Sequence, residues 1–294
     1  VEMDKLQAAV EKARTRVPHL VMIGGPSGVG KTTLVDRFLL HAGERRLLSY
    51  RGRCYDREHI PYRAFDRIVE ELAFELSQPI GKAARRRRHI LAPAHTAALL
   101  RVFPSLAQLP ELESNSPPAA DPRIERERAF SAFADLLSQH LADRIGVFVI
   151  DDLQWADAGS LELLAVLTAP ERQLPLCVLG TYRSEDVSAQ LSQFLATDPD
   201  SPRTSHFLLG PLDTDEIVAM ARSLIGDHVP DATLLNMAKL TGGNPYVAET
   251  LAHEIAAATV GAIREIDVDN LERARLARLT PAERLVAEAA SVAG

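Results

Sequence analysis

Hydrophobic and polar positions follow two kinds of pattern along this chain. Short apolar runs of strand length lie at 19–23, 147–150, 176–181 and 206–209, and 47–54 is predicted to be a further, more polar strand. Between them, apolar residues recur every three or four positions, as in 61–76 and 123–141, which is typical of amphipathic helices. Consecutive apolar residues suit a strand that is buried on both faces, as in a parallel sheet. The pattern therefore predicts an α/β fold with a doubly wound parallel sheet.

Beyond residue 210 the strand patterns cease and only helical spacing continues, at 215–225, 231–240 and 245–258. We therefore predict an α/β domain at 1–210, a smaller all-helical lid domain at 211–262, and the start of a further helical or winged-helix domain at 263–294. Several prolines break the pattern at 77–122, which we predict to be a mobile insert of the first domain. Because the chain starts at Val1 and stops after a helical pattern, we expect it to be a segment of a longer polypeptide.

Composition is ordinary for a globular protein, with 46% hydrophobic and 25% charged residues among 294. The formal net charge of -7 argues against direct binding of nucleic acid by this segment. The run Arg85–Arg88 is either a phosphate or partner contact or a solvated helix face. No apolar run is long enough to span a membrane and no secretory signal is present, so we expect a cytoplasmic location and no membrane partner. Cys54 and Cys177 are predicted to be core thiols.

The clearest chemical signal is a glycine-rich segment directly after the first apolar run. It consists of Gly25, Pro26, Ser27, Gly28, Val29, Gly30, Lys31, Thr32 and Thr33. This segment matches the phosphate-binding loop G-x-x-x-x-G-K-[ST] between a strand and a helix, and it predicts the P-loop NTPase version of the fold. Glycines let successive backbone N–H groups approach phosphates closely. Lys31 would contact the β- and γ-phosphates, and the Thr32 hydroxyl would bind Mg²⁺.

Two later strand ends carry further candidates. Asp151 and Asp152 close an apolar run, so that Asp151 is a predicted Mg²⁺ ligand and Asp152 a predicted base for an attacking water, or else a helix cap. Arg183 follows the next strand and is a candidate sensor of the γ-phosphate. The alternative for Arg183 is a surface salt bridge with Glu185 or Asp186. The predicted catalytic set is therefore Lys31, Asp152 and Arg183.

A set of motifs resembles one family of ATPases. The motifs are Gly25–Thr33, Val147–Asp157 with its Leu-Gln-Trp-Ala-Asp end, Gly180–Arg183 and Gly242–Pro245. They are similar to those of the AAA-related signal-transduction ATPases with numerous domains, over roughly residues 15–260. The resemblance implies ATP as the nucleotide, Asp151 and Asp152 as the carboxylate pair, Arg183 as the first sensor, and Pro245 packed on the adenine. It also implies fused kinase, cyclase or DNA-binding domains outside this segment, and a possible homo-oligomer.

The resulting functional prediction is a signalling switch that binds ATP and Mg²⁺, hydrolyses ATP to ADP slowly, and changes the position of its lid. Many AAA hydrolases have Glu where this chain has Asp152, and the shorter side chain is expected to slow turnover. No arginine finger stands out among the arginines. Two alternatives stay open: a motor-type AAA ATPase that remodels a substrate, and a scaffold segment of a DNA-binding regulator.

Overall fold

The computed structural model describes residues 2–42, 47–56, 61–78, 91–197, 203–227 and 229–257. The helices are α1 Glu2–Arg14, α2 Lys31–Ala42, α3 Arg63–Ser77, α4 Pro93–Val102, α5 Pro122–His140, α6 Ala158–Thr168, α7 Ala189–Ala196, α8 Thr214–Ile225, α9 Asp231–Thr241 and α10 Pro245–Ala257. The strands are β1 His19–Gly25, β2 Leu47–Arg53, β3 Ile145–Asp151, β4 Leu176–Arg183 and β5 Thr204–Leu208. The run Arg85–Arg88 and the segment 263–294 lie outside the described residues. No described helix is both long enough and apolar enough to cross a membrane.

The chain divides into two compact units. The first contains the residues up to Gly24 and from Thr32 to Leu208, and the second contains Gly25–Lys31 together with the chain from Leu209 onward. The phosphate-binding loop thus groups with the helices that follow the sheet, although it directly connects β1 to α2 in the sequence.

The first unit is built on a sheet whose strand order, within the described residues, is β2-β3-β4-β1-β5. Pairs β2–β3, β3–β4 and β1–β5 are parallel. Ile150 of β3 pairs with Gly180 of β4, so the next residues, Asp151 and Thr181, lie side by side near the carboxyl ends of these strands. The predicted doubly wound α/β fold is confirmed, and β4, which ends at Arg183, lies next to β1.

A large aromatic and aliphatic core covers the sheet of the first unit. Its fully buried aromatic side chains are Phe65, Phe103, Phe130, Phe133 and Phe148. The described part of the predicted insert contributes to this core, because α4 and the 3₁₀ turns Pro104–Gln108 and Pro110–Leu112 bury Leu99, Leu106 and Leu112. Apolar residues at these spacings can therefore pack between the proline breaks. The predicted mobility of the insert stays a prediction.

Both cysteines are buried and free, as the sequence predicted. Burial raises the pKa of the Cys177 thiol to about 12, and burial together with nearby carboxylates raises the pKa of Cys54 as well. The thiols are therefore protonated near neutral pH, which is typical of inert packing residues.

Helices α8, α9 and α10 of the second unit form a core of their own, with Ile217, Leu234, Met237 and Leu251 at its centre. Helix α8 begins with a capping box, in which Asp213 and Glu216 each satisfy a backbone N–H of the other. The helical spacing after residue 210 predicted helices here, while the bounds 211–262 of a separate domain stay a prediction. The role of these helices as a lid stays a prediction.

Candidate nucleotide site

The phosphate-binding loop has the backbone shape that its glycines allow. Gly28 and Gly30 have φ angles of 76° and 96°, which side chains other than glycine rarely adopt. A Cβ built on Gly30 would meet nothing within 4 Å, whereas one on Gly28 would lie 2.7 Å from Asn244 Oδ1. One part of the loop is therefore open and the other is covered by the turn before α10.

Lys31 is folded over this loop. It is 9% exposed, and its Nζ donates to the carbonyl oxygens of Gly25 at 2.7 Å and Pro26 at 2.8 Å. Two neutral carbonyl groups hold the ammonium group against the loop. Charged phosphate oxygens can replace them as acceptors, because hydrogen bonds between ionised partners are stronger. The loop and its lysine therefore fit a phosphate group.

Asn244 makes the contact to the loop that the sequence did not predict. Its Nδ2 donates to the Ser27 carbonyl at 3.0 Å, while its Oδ1 accepts the N–H groups of Tyr246 at 3.0 Å and Val247 at 3.3 Å. The Tyr246 N–H also lies 3.2 Å from the Gly28 carbonyl oxygen. An Asn before a proline at the first position of a helix is an N-cap signal, which could have identified half of this role. The family resemblance instead assigns a role to Pro245, the first residue of α10. The packing of Pro245 on adenine stays a prediction.

Asp151 lies at the end of β3 in the first unit, 9% exposed. Thr181 Oγ1 donates to its Oδ1 at 2.9 Å, and Arg51 Nε donates to its Oδ2 at 2.7 Å. Carboxylate and hydroxyl oxygens are hard donors of the kind Mg²⁺ prefers. The side chains of Asp151 and of Thr32, which is exposed in the first turn of α2, therefore fit the predicted metal site by their chemistry.

Arg51 is a second residue that the sequence analysis missed. It joins Asp151 to Asp36 of α2, with Nη1 2.6 Å from Asp36 Oδ1. Burial alone would lower the pKa of Arg51, but the hydrogen bonds and charges of Asp36 and Asp151 outweigh it and raise the pKa. Its Nη2 is buried and has no hydrogen-bond partner among the described residues. A positive group thus neutralises the Asp151 carboxylate in this structure.

Asp152 has a left-handed backbone, with φ 60° and ψ 43°. Its Oδ2 accepts from Arg53 Nε at 3.0 Å and its Oδ1 from Gln154 Nε2 at 3.1 Å. The helix-cap alternative for Asp152 is not realised by its side chain, which makes no capping hydrogen bond. Asp157 performs that role for α6 by accepting the Ser160 N–H at 2.9 Å.

Arg183 ends β4 with its guanidinium over an aromatic ring. Its Cζ lies 5.0 Å from the centroid of Trp155, a cation–π distance. Its Nη1 lies 3.8 Å from Asp186 Oδ2, so the salt bridge that the sequence left open is present, at long range. Thr181, Arg183 and the carboxylate pair therefore share one edge of the sheet, while the sensor role of Arg183 stays a prediction.

Comparison with known proteins gives one family. The sequence matches the family described as AAA ATPase domain over residues 1–179. No curated protein matches the chain. The Walker-type ATPase of Pyrococcus abyssi is similar in structure, with a TM-score of 0.51, 22% identity, and coverage of 92% of this chain and 70% of that chain.

Two further solved structures resemble the chain more distantly. RuvB of Thermotoga maritima has a TM-score of 0.42 and 19% identity, and the similarity covers 92% of this chain and 66% of that chain. ORC2 of Aeropyrum pernix, solved as ADPNP–ADP complexes, has a TM-score of 0.41 and 11% identity, with 88% of this chain and 68% of that chain covered.

The family match spans more than half of the sequence and includes both the loop Gly25–Lys31 and the strand that ends at Asp151. The similarity to the Pyrococcus protein agrees with it in fold. The chain therefore belongs to the AAA ATPase domain family and is a P-loop ATPase.

Proposed function

We propose that the chain is a signalling switch that binds ATP with Mg²⁺ and hydrolyses it slowly, so that the bound nucleotide controls the position of helices α8–α10. One observation carries the proposal. Asn244 and Tyr246, at the start of α10, bond directly to the carbonyl groups of Ser27 and Gly28 in the phosphate-binding loop. A nucleotide that reshapes this loop must change those bonds, which is how a local event can move a helical domain.

In this proposal the chain's own residues divide the chemistry of hydrolysis. Lys31 binds the terminal phosphates, and Asp152 accepts a proton from water as its oxygen attacks the γ-phosphorus. The bond from that phosphorus to the β–γ bridging oxygen breaks, which gives ADP and inorganic phosphate. Arg183 binds the γ-phosphate and so distinguishes ATP from ADP. Mg²⁺, held by Thr32 and Asp151, would neutralise phosphate charge.

The engagement of Asp152 supports slow turnover. Both of its carboxylate oxygens already accept hydrogen bonds, from Gln154 and from Arg53. Each carboxylate oxygen has a second lone pair, but the two partners restrict the directions from which water can approach Asp152 and fix its orientation. This supports a switch that holds its nucleotide, since a motor needs repeated turnover.

The proposed output is a change in a fused signalling domain or in self-association. A coupling of ~1–3 kcal/mol between nucleotide and helical domain would suffice for such control. Pro245 is proposed to pack on the adenine, and ATP is proposed as the nucleotide from the family resemblance alone.

The test compares nucleotide binding and hydrolysis in two variants. Lys31→Ala should abolish the stabilisation by ATP and Mg²⁺ in thermal unfolding, which is about 2.7 kcal/mol at 100 times the dissociation constant. The matched control is Lys239→Ala, because Lys239 is exposed on α9 and should leave that stabilisation unchanged. Asp152→Asn should keep ATP binding and lose single-turnover hydrolysis, and loss of both would contradict its assigned role.

The switch and the motor differ in rate and in response. We expect turnover below ~1 s⁻¹, the lower end of common enzyme rates. Hydrogen exchange at the start of α10 should differ between the ATP and ADP complexes. Fast, sustained turnover together with identical exchange in the two complexes would contradict the switch and favour the motor.

A further inference from the structure

Gln154 is a buried amide whose two ends are both engaged. It is 2% exposed, in the 3₁₀ turn Leu153–Trp155. Its Oε1 accepts the backbone N–H of Arg183 at 3.0 Å, and its Nε2 donates to Asp152 Oδ1 at 3.1 Å. Because a backbone N–H can only donate, the Arg183 bond determines which end of the amide faces Asp152. The two partners are the proposed base and the proposed γ-phosphate sensor.

The neighbours of Gln154 attach the same turn to β4. A Cβ on Gly180 would clash with Leu153 Cδ1, so Leu153 packs where that glycine leaves space. Trp155 lies under the Arg183 guanidinium, 5.0 Å from centroid to Cζ. Three consecutive residues of the turn therefore contact Gly180 or Arg183 of β4, and Gln154 supplies the polar contact.

The two partners of the Asp152 carboxylate differ in rigidity. The Arg53 side chain is 55% exposed, whereas Gln154 is 2% exposed and held at both ends. Long exposed side chains gain little from surface ion pairs and exchange readily with water. Gln154 therefore keeps hold of Oδ1, while Oδ2 becomes free whenever Arg53 moves.

We infer that Gln154 is a positioning residue for hydrolysis, which holds Oδ1 of Asp152 so that Oδ2 is the oxygen that takes the proton from the attacking water. This inference rests on the proposed function. Through its bond to the Arg183 N–H, Gln154 also keeps the sensor strand and the base in one geometry. Contact of ATP with Arg183 is thereby coupled to the orientation of Asp152, without contact between Gln154 and the substrate.

The test uses Gln154→Met, which keeps the side-chain volume and removes both hydrogen bonds. We expect kcat to fall about 10- to 100-fold, as for other residues that orient a reactive group, with the dissociation constant of ATP and the Tm near those of the wild type. Gln193→Met is the control, since Gln193 is exposed on α7 and should leave all three quantities unchanged. An unchanged kcat would overturn the inference, and so would a loss of kcat that only follows a loss of Tm or ATP affinity.

A second variant separates the two bonds and serves if Gln154→Met does not fold. Gln154→Glu keeps an acceptor for the Arg183 N–H but faces Asp152 with a second carboxylate. It should lose as much kcat as Gln154→Met while keeping the wild-type ratio of ATP to ADP affinity, and wild-type kcat in Gln154→Glu would contradict the inference. Absence of hydrolysis in the wild type itself would instead be a failure of the proposed function, so the two failures are distinguishable.

Discussion

Asn244 Nδ2 lies 3.0 Å from the carbonyl oxygen of Ser27, although 217 residues separate them in the sequence. The same side chain caps α10 through its Oδ1, by accepting two backbone N–H groups. One amide therefore joins the shape of the phosphate-binding loop to the start of a helix. Its two ends can be changed separately.

Asn244→Asp should keep the helix cap and remove the donor to Ser27. Asp caps helices as well as Asn does, so the free energy of unfolding should change little. The new carboxylate would repel bound phosphates. With an effective dielectric constant near 20, this repulsion should lower the affinity for ATP by about tenfold. Isothermal titration with ATP and with ADP measures this. Asn244→Ala is the comparison, with about 1 kcal/mol lost from a missing cap. Equal ATP affinity in Asn244→Asp and the wild type would show that the contact has no role in binding.

Arg53→Ala should increase ATP turnover. The Arg53 guanidinium occupies Asp152 Oδ2 at 3.0 Å, and its removal frees that oxygen for water. Exposed ion pairs are worth about 0.2–1 kcal/mol, so kcat should rise by up to about fivefold. Arg67→Ala is the control, because Arg67 forms an exposed ion pair with Glu71 on α3. A fall in single-turnover rate would mean that Arg53 assists hydrolysis.

Arg183→Ala should weaken ATP more than ADP. A charge-assisted hydrogen bond to the γ-phosphate is worth about 1.5–3 kcal/mol, so ATP affinity should fall by at least about tenfold. ADP lacks that phosphate and should lose little. Competition titrations with both nucleotides decide the matter, and equal losses would remove Arg183 as a sensor. Trp155→Leu, which removes the ring next to the guanidinium, should produce a smaller change in the same direction.

His19 should make the fold less stable in acid. It is fully buried at the start of β1, with Nε2 2.9 Å from Ser205 Oγ. Burial, with a smaller contribution from the charge of Lys12, lowers the pKa of His19 from 6.5 to about 4. The unfolded chain therefore binds a proton that the folded chain does not, so stability is fully present above pH 6.5 and declines as the pH falls towards 4. The expected loss is about 2–3 kcal/mol.

Urea unfolding of the wild type and His19→Gln between pH 4.5 and 7.5 measures this loss. The variant should be less dependent on pH, whatever its stability at neutral pH. A smaller slope of the same sign should remain, since burial also lowers the pKa of His206. Identical slopes in the two proteins would contradict the assignment.

Local signals predicted most of the fold. The apolar run before Asp151 became a strand buried along its whole length, and the helical spacing at 123–141 became α5 with small shifts at its ends. These patterns depend on neighbours along the chain, which a sequence displays directly. The described part of the insert was harder to predict, because its short groups of apolar residues find packing partners only in the folded core.

The candidate site was predicted in its residue types and only partly in its contacts. Lys31 bends back to the loop carbonyls, and the Asp152 side chain bonds to Arg53 and Gln154 without capping a helix. Arg51 and Arg53 lie in no recognised motif, and the Leu-Gln-Trp-Ala-Asp motif assigns no role to Gln154. Their roles arise from pairing between β2, β3 and β4, which no local pattern contains.

The amino-acid sequence by itself determined the class of fold and the functional groups of this ATPase. These groups are a glycine-rich loop with Lys31 and a carboxylate pair after a buried strand. The tertiary structure alone decided most of the side chains that hold these groups in place, because Arg51, Arg53 and Asn244, which bond to Asp151, Asp152 and Ser27, come from distant parts of the chain. Glycines and periodic apolar residues act through local geometry and burial, so they are visible in sequence. Hydrogen bonds between distant residues exist only once strands and helices have packed.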